Sequence, residues 1–446
     1  MLACSHETDL FGSRLCVHLR TDSHLGLDCM KWYTGSGCEY EFLCAPCVQQ
    51  REQGDLIEVE SVCEQCFERI SREISYDGMR GKPEVQIRPE PFDFTIEQTP
   101  LPKELSKIID IAPVNALSEP VWMMLVDTGQ IFRFNVATGD LSEVARSNVP
   151  AEPNREPWAG HTLRRHLHTS SRGEFVAVVN DYGRYGQVID LASGKVTLSL
   201  DGEDYYPETV PFSFAFTEFN SRVVAIHRTQ WNRLDCSDAA TGKLLTERGP
   251  TRYQRAGERP EHYLDYFHGA LCVNPSGTRI AVDGWIWHPV GVPYAWSLEQ
   301  WLSENVWESE DGPTKMDLCT RLYYWDVSMT WLDDTRIAVA GIGDDDADMH
   351  AGARVFDVTK PGSPSILSRS DWPWAQELKA FAGPTGPFFS DGLSLFSADE
   401  TGLSRWNVVA GVRTAHIPDI QPTHHHRGAR ELVQVKEDIL FRCILK

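Results

Sequence analysis

The amino-acid sequence predicts a mostly β protein: a seven-bladed β-propeller, with six blades as the alternative count, preceded by a small zinc-binding module. Three features carry this expectation. A strand, then Asp or Asn, then a turn ending in Gly recurs along residues 105–446 at intervals of roughly 48–60 residues, in or just above the range of propeller blades. Eight of the 12 cysteines fall within the first 66 residues. Between these regions lies a stretch rich in Pro, Gly and charge, residues 78–104, which reads as a linker able to contribute a closing strand. The domain plan is therefore 1–77, 78–104 and 105–446.

The repeats are IFRFNVATGD with Asn135 and Gly139, QVIDLASGKV with Asp190 and Gly194, and LDCSDAATGKL with Asp238 and Gly242. ARVFDVTKPGS with Asp357 and Gly362 and SRWNVVAGVR with Asn407 and Gly411 continue the series, and YAWSLEQWL around Ser297 is a weaker member. Ahead of most copies stands a strand–turn–strand unit, as in HTSSRGEFVAVVN, AFTEFNSRVVAIH and MTWLDDTRIAVAG. Polar residues and Gly supply the reversals, and β-branched residues fill the second strand. Each unit is a four-stranded antiparallel blade, which resembles the WD40-like propellers. Phe356-Asp357 and Trp406-Asn407 occupy the Trp-Asp position. The tail ARELVQVKEDILFRCILK and the segment VQIRPEPFDFTI supply strands for a seventh blade that closes the ring by pairing the two ends of the domain.

At 446 residues the chain exceeds the size of one simple core, and 41% hydrophobic with 24% charged residues is ordinary for a folded protein. The 64 acidic and 42 basic side chains leave a formal charge of −22. Such a surface repels phosphate backbones and anionic headgroups, so nucleic acid and membrane are set aside in favour of a protein or peptide partner. No run approaches the roughly 20 apolar residues that span a bilayer, and His6, Glu7 and Asp9 stand where a signal peptide needs positive charge. A cytoplasmic location is expected.

In a reducing compartment clustered thiols read as metal ligands. Cys44-Ala-Pro-Cys47 and Cys63-Glu-Gln-Cys66 have the spacing of a tetrahedral four-thiolate zinc site, each knuckle at the end of a short strand, as in a zinc ribbon. A second zinc can draw on Cys4, His6, Cys16, His18, Cys29 and Cys38, and the spacing leaves the partition open. Four thiolates close the coordination shell, so the metal reads as structural. Cys236, Cys272, Cys319 and Cys443 read as small buried hydrophobes. Together with the degenerate propeller, the segments CVHLR, KWYTGSG, YEFLCAPC and VCEQCFERI resemble an uncharacterised bacterial protein family along the whole chain. That resemblance implies the same two-part architecture and no particular activity.

Catalytic signatures are missing. Gly341-Ile342-Gly343 opens into aspartates and cannot cradle phosphate, and no nucleophile elbow, Walker loop or His-Glu-x-x-His is present. No catalytic residue is assigned. Asp344, Asp345, Asp346, Asp348 and His350 read as a solvated hairpin tip. His161, His166 and His168, like His424, His425 and His426, can line the channel or its mouth, with His166 and His168 on one face of a strand. The Trp-rich run with Trp285, Trp287, Trp296, Trp301 and Trp307 suits loop tips that bind a partner or packing between blades. Segment 303–316 reads as a protruding acidic recognition loop. The function expected is a non-enzymatic protein-interaction platform. The alternative is a metal-dependent enzyme with a pocket at the central channel, and a thiol-oxidation sensor is a third reading.

Overall fold

A computed structural model of the chain describes residues 10–21, 30–33, 40–63, 84–153, 156–158, 160–253, 257–346, 349–362 and 373–446. Two units divide between Glu84 and Val85.

In the first unit, strand β1 (Leu10–Cys16) leads into helix α1 (Val17–Thr21), and β2 (Met30–Tyr33) precedes β3 (Tyr40–Leu43), helix α2 (Ala45–Glu52) and β4 (Val59–Cys63). One sheet has the order β2-β3-β1-β4, with β1 parallel to β3 and antiparallel to β4. Parallel pairing places the C-terminal ends of β1 and β3 side by side, so two strand-to-helix junctions adjoin. Leu15, Leu19, Leu43 and Val48 are buried around those junctions. Pro46 occupies the first turn of α2, where its missing N–H has no intrahelical partner to lose.

The second unit is a seven-bladed propeller. Before the first blade, β5 (Phe94–Pro100) leaves to join the last. Blade 1 holds β6 (Ile108–Pro113), β7 (Val121–Val126), β8 (Gln130–Asn135) and β9 (Leu141–Arg146). Blade 2 holds β10 (Arg164–Thr169), β11 (Phe175–Asp181), β12 (Tyr185–Asp190) and β13 (Lys195–Asp201). Blade 3 has three strands, β14 (Phe214–Phe219), β15 (Arg222–Gln230) and β16 (Arg233–Asp238). Blade 4 is broken into β17 (Phe267–Val273), β18 (Arg279–Ile286), β19 (Val290–Gly291), β20 (Tyr294–Ser297), β21 (Met316–Asp317) and β22 (Arg321–Leu322). Blade 5 holds β23 (Met329–Trp331), β24 (Arg336–Ile342), β25 (His350–Pro361) and β26 (Ala375–Ala382). Blade 6 holds β27 (Phe388–Ser390), β28 (Leu395–Asp399), β29 (Gly402–Asn407) and β30 (Val412–Pro418). Blade 7 takes β31 (His424–His426), β32 (Glu431–Lys436), β33 (Ile439–Leu445) and β5.

Burial explains the strand sequences. A second strand is covered on both faces by neighbouring blades, so VWMMLV of β7 and FVAVVND of β11 are buried throughout. Outermost strands such as β9 keep exposed polar positions. The recurrent Asp/Asn–Gly signature is the turn from third to fourth strand. Asn135, Asp190, Asp238 and Asn407 each accept through the side chain from the amide two residues on. Their own carbonyls accept from the amides of Gly139, Gly194, Gly242 and Gly411, at 2.8 Å in each case. Those four glycines lie at φ between +67° and +78°, which favours glycine.

Ring closure comes from β5, whose residues Phe94 to Pro100 pair with Leu445 to Ile439 of β33. Behind it a charged group bridges blades 7 and 1. The buried Glu431 carboxylate accepts from Trp122 Nε1 at 2.9 Å and from Arg442 Nε at 2.8 Å, while Arg442 also reaches Glu97 of β5 at 2.8 Å.

Segment 303–316 corrects the expectation of a protruding loop. Helices α3 (Leu298–Ser303) and α4 (Glu308–Asp311) fold it onto the blade, and Glu308, Ser309, Glu310 and Lys315 are buried. Arg248, itself buried, clamps Glu310 to Asp235. The acidic outside of the segment is thus partly an internal ion network. Trp296, Trp301 and Trp331 are buried packing residues, whereas Trp287 reaches solvent.

Replacing Glu431 with Ala should lower unfolding free energy by about 2–4 kcal/mol, because it leaves the Trp122 indole N–H without an acceptor and the Arg442 guanidinium with only the half-exposed Glu97. Glu431→Gln, which keeps part of the hydrogen bonding, should cost less. Urea denaturation of the three proteins tests the order; equal midpoints would remove this bridge from the closure.

Candidate metal centre and binding face

The junctions β1–α1 and β3–α2 each deliver two donors. Cys16 ends β1 and His18 follows on α1; Cys44 precedes α2 and Cys47 lies in its first turn. Their sulfurs and an imidazole nitrogen lie within 4.8 Å of one another. His18 Nδ1 stands 3.2 Å from Cys47 Sγ and 3.8 Å from Cys44 Sγ. A tetrahedral ion with metal–sulfur bonds of about 2.3 Å and metal–nitrogen bonds of about 2.0 Å calls for donor separations of roughly 3.5–3.8 Å, a range that the two His18 separations bracket. The Cys44 amide donates to Cys16 Sγ at 3.4 Å, which orients a thiolate. All three cysteines are buried free thiols. Burial first, then the neighbouring Cys44 and Cys16 thiols, push the Cys47 thiol up to about 12, so a cation would reverse an unfavourable clustering.

The cluster draws on both donor groups read from spacing. Cys44 and Cys47 join Cys16 and His18, which the spacing had assigned to a second ion. Cys63 ends β4 in register with Leu10, at the opposite end of β1 from Cys16 and roughly 20 Å along the strand at about 3.3 Å per residue. Cys4, His6, Cys29, Cys38 and Cys66 lie outside the described residues. Among the described residues this is the one set of three or more donors so gathered.

The channel histidines are arranged otherwise. His166 Nδ1 meets Asp181 at 3.1 Å, His166 Nε2 faces Asp110 at 3.8 Å, and His424 Nε2 meets Asp110 at 3.1 Å. Asp110 also accepts from the Leu167 amide at 2.7 Å, and Asp181 from the Phe212 amide at 3.1 Å, so each carboxylate ties its blade to the next. Burial alone would push His166 down; Asp181 and Asp110 outweigh it and raise the imidazole to about 9. His168, its ring tilted against that of His166 at 4.2 Å, is held down to about 3 by burial and by the His166 charge. His161 lies over Tyr182 at 4.8 Å, and Tyr182 donates to Asp326.

Turns from second to third strand and the links between blades emerge at one end of the wheel. There a cavity of about 700 Å³ opens at the channel mouth, lined by Arg164, Tyr182, Tyr324, Asp326, Met349 and His350. Beside it lies an aromatic array. Phe267 stacks on Trp285 at 4.2 Å and Trp285 on Trp325 at 5.0 Å, with Trp231 at 4.6 Å from Phe267. On this buried base stand Tyr205, Tyr206 and Trp287, exposed by 41%, 44% and 38%. Trp285 and Trp287 belonged to the Trp-rich run; Tyr205, Tyr206 and Trp231 had no sequence signal beyond aromatic character at loop positions.

No family model matches the chain, and no curated protein matches it. One solved structure that resembles it, "Crystal Structure of Mitotic Checkpoint Complex", is 12% identical, with a TM-score of 0.46, over 82% of this chain and 98% of that one. At that level the likeness carries no argument, and the resemblance to a bacterial family gains no support. The blades themselves define a seven-bladed β-propeller protein, here with a Cys/His cluster in its N-terminal unit. Among the described residues no helix is long and apolar enough to cross a membrane.

Metal analysis of the full-length protein should show one equivalent lost in Cys16→Ser and in Cys44→Ser; full metal content in Cys16→Ser would rule this cluster out. The His166 pairing gives a second test. Because the folded value of about 9 exceeds the ordinary 6.5, its stabilisation is complete below pH 6.5 and disappears as pH rises through 9. The melting-temperature advantage of wild type over His166→Asn should therefore shrink across that interval. A constant difference would refute the charged imidazole.

Proposed function

We propose that the protein is a non-enzymatic interaction platform: zinc holds the N-terminal unit together, and the propeller binds a protein or peptide on the face bearing the aromatic array. The observation that carries this reading is the exposure of Tyr205, Tyr206 and Trp287 on a rigid aromatic base beside the channel mouth. Large rings held in place supply binding area at little entropic cost, and such residues dominate interface energetics.

Three thiolates and one imidazole favour zinc and complete a tetrahedron, which leaves no open position for a metal-bound water. The unit around them has a small sheet, so the ion supplies folding energy that the thin core does not. In the channel-mouth cavity the Tyr182 hydroxyl is engaged by Asp326, and Ser328 accepts from the Phe388 amide at 2.7 Å. The scaffold thus holds these two hydroxyls, which supports binding over catalysis.

Affinity capture with the tagged full-length protein should retain a partner that the Tyr206→Ala/Trp287→Ala double variant retains at least about tenfold less, with unchanged melting temperature. Equal capture by both proteins would overturn the choice of this face.

A further inference from the structure

We propose that the aromatic array recognises a cationic side chain of the partner, an ammonium or guanidinium group, with Tyr205, Tyr206 and Trp287 presenting ring faces and Asp265 supplying the counter-charge. This deepens the binding-platform reading and rests on it.

The array is built to hold its outer rings still. Tyr206 meets Trp287 edge-on at 5.6 Å, and Tyr205 stacks over the buried Phe267 at 5.8 Å. Trp285 Nε1 donates to Thr209 Oγ1 and Trp325 Nε1 to the Thr209 carbonyl, so the base is fastened to the loop carrying Tyr205 and Tyr206. Backbone strain gathers here as well: Tyr206 lies at φ +49° and the neighbour of Trp287, His288, at φ +111°. Non-glycine residues rarely adopt such angles, and they persist where the fold enforces a functional placement.

Charge selects the ligand. Asp265 begins the approach to the same blade, just before Phe267, and its Oδ1 is buried without a hydrogen-bond partner. Burial pushes its carboxyl up, only partly offset by His288 and Arg259. Neighbouring cations are already engaged: Arg252 pairs with Glu203 at 2.7 Å, and Arg184 with Asp201. Arg259 lies over the Tyr263 ring at 5.0 Å, an internal instance of the contact proposed. A cation over a ring face is attracted by the ring quadrupole, and a chain of net charge −22 draws cations toward it. An anionic ligand would meet ring faces of the wrong sign, beside a carboxyl that His288 and Arg259 offset only in part.

The test uses full-length protein and arrayed heptapeptides of one Gly/Ser sequence whose central residue is Lys, Arg, norleucine or Glu. Retention on Lys or Arg should exceed retention on norleucine and Glu by about tenfold or more. Asp265→Asn, which preserves shape, should erase most of that preference. Trp287→Ala should weaken binding about tenfold; Tyr205→Leu, which keeps apolar area but removes a ring face, serves if Trp287→Ala lowers the melting temperature. Equal retention on norleucine overturns the cation assignment while leaving an apolar docking face. Failure to retain any peptide also overturns it, and differential capture of a partner by wild type and the double variant then decides the platform reading separately. An unchanged preference in Asp265→Asn removes the counter-charge and sinks the proposal as stated.

Discussion

A wheel of radial sheets has no free edge between blades, but the chain must begin and end somewhere, and that seam is where the wheel can open. Here the seam is closed by hydrogen bonding of β5 to β33 along seven register pairs. Every other blade is built from strands near one another in sequence and can form locally; blade 7 alone requires strands separated by more than three hundred residues. The Glu431 carboxylate reinforces the same joint from inside, binding Trp122 of blade 1 and Arg442 of blade 7 together.

Three of the other joints use a common device. A carboxylate on one blade accepts from a backbone amide at the start of the next: Asp110 from Leu167, Asp181 from Phe212, and Asp283 from Val327. Such buried charges are tolerable only when paired, and His166, Arg164 and Arg321 pair them. Residues that look catalytic when seen as a string of His and Asp thus fasten the wheel around its axis. The ring they hold is what keeps the aromatic base of blade 4 fixed, so the aromatic array inherits its rigidity from the hub.

The N-terminal unit solves a different problem. Among the described residues a four-stranded sheet and two short helices surround a cluster of three thiols and an imidazole that could hold a metal ion. Parallel alignment of β1 and β3 is the feature that makes the cluster, since it brings a Cys-x-His and a Cys-x-x-Cys to one edge.

The amino-acid string determined what short-range chemistry can encode. Asn135, Asp190, Asp238 and Asn407 bond to their own turns within five residues, so the blade rhythm and the mostly β class were readable from spacing alone. Which thiols meet was decided by tertiary structure, because parallel or antiparallel pairing leaves no mark on a Cys-x-x-Cys. The same holds for segment 303–316, which reads as a protruding acidic recognition loop, whereas its Glu310 is buried against Arg248, some sixty residues earlier in sequence. Tyr205, Tyr206, Phe267 and Trp287 come from separate loops and strands of blades 2 to 4, so their convergence on one face could arise only from the closed ring. Local hydrogen bonding is written in neighbouring residues; long-range proximity is written in register, and register exists only in the folded wheel.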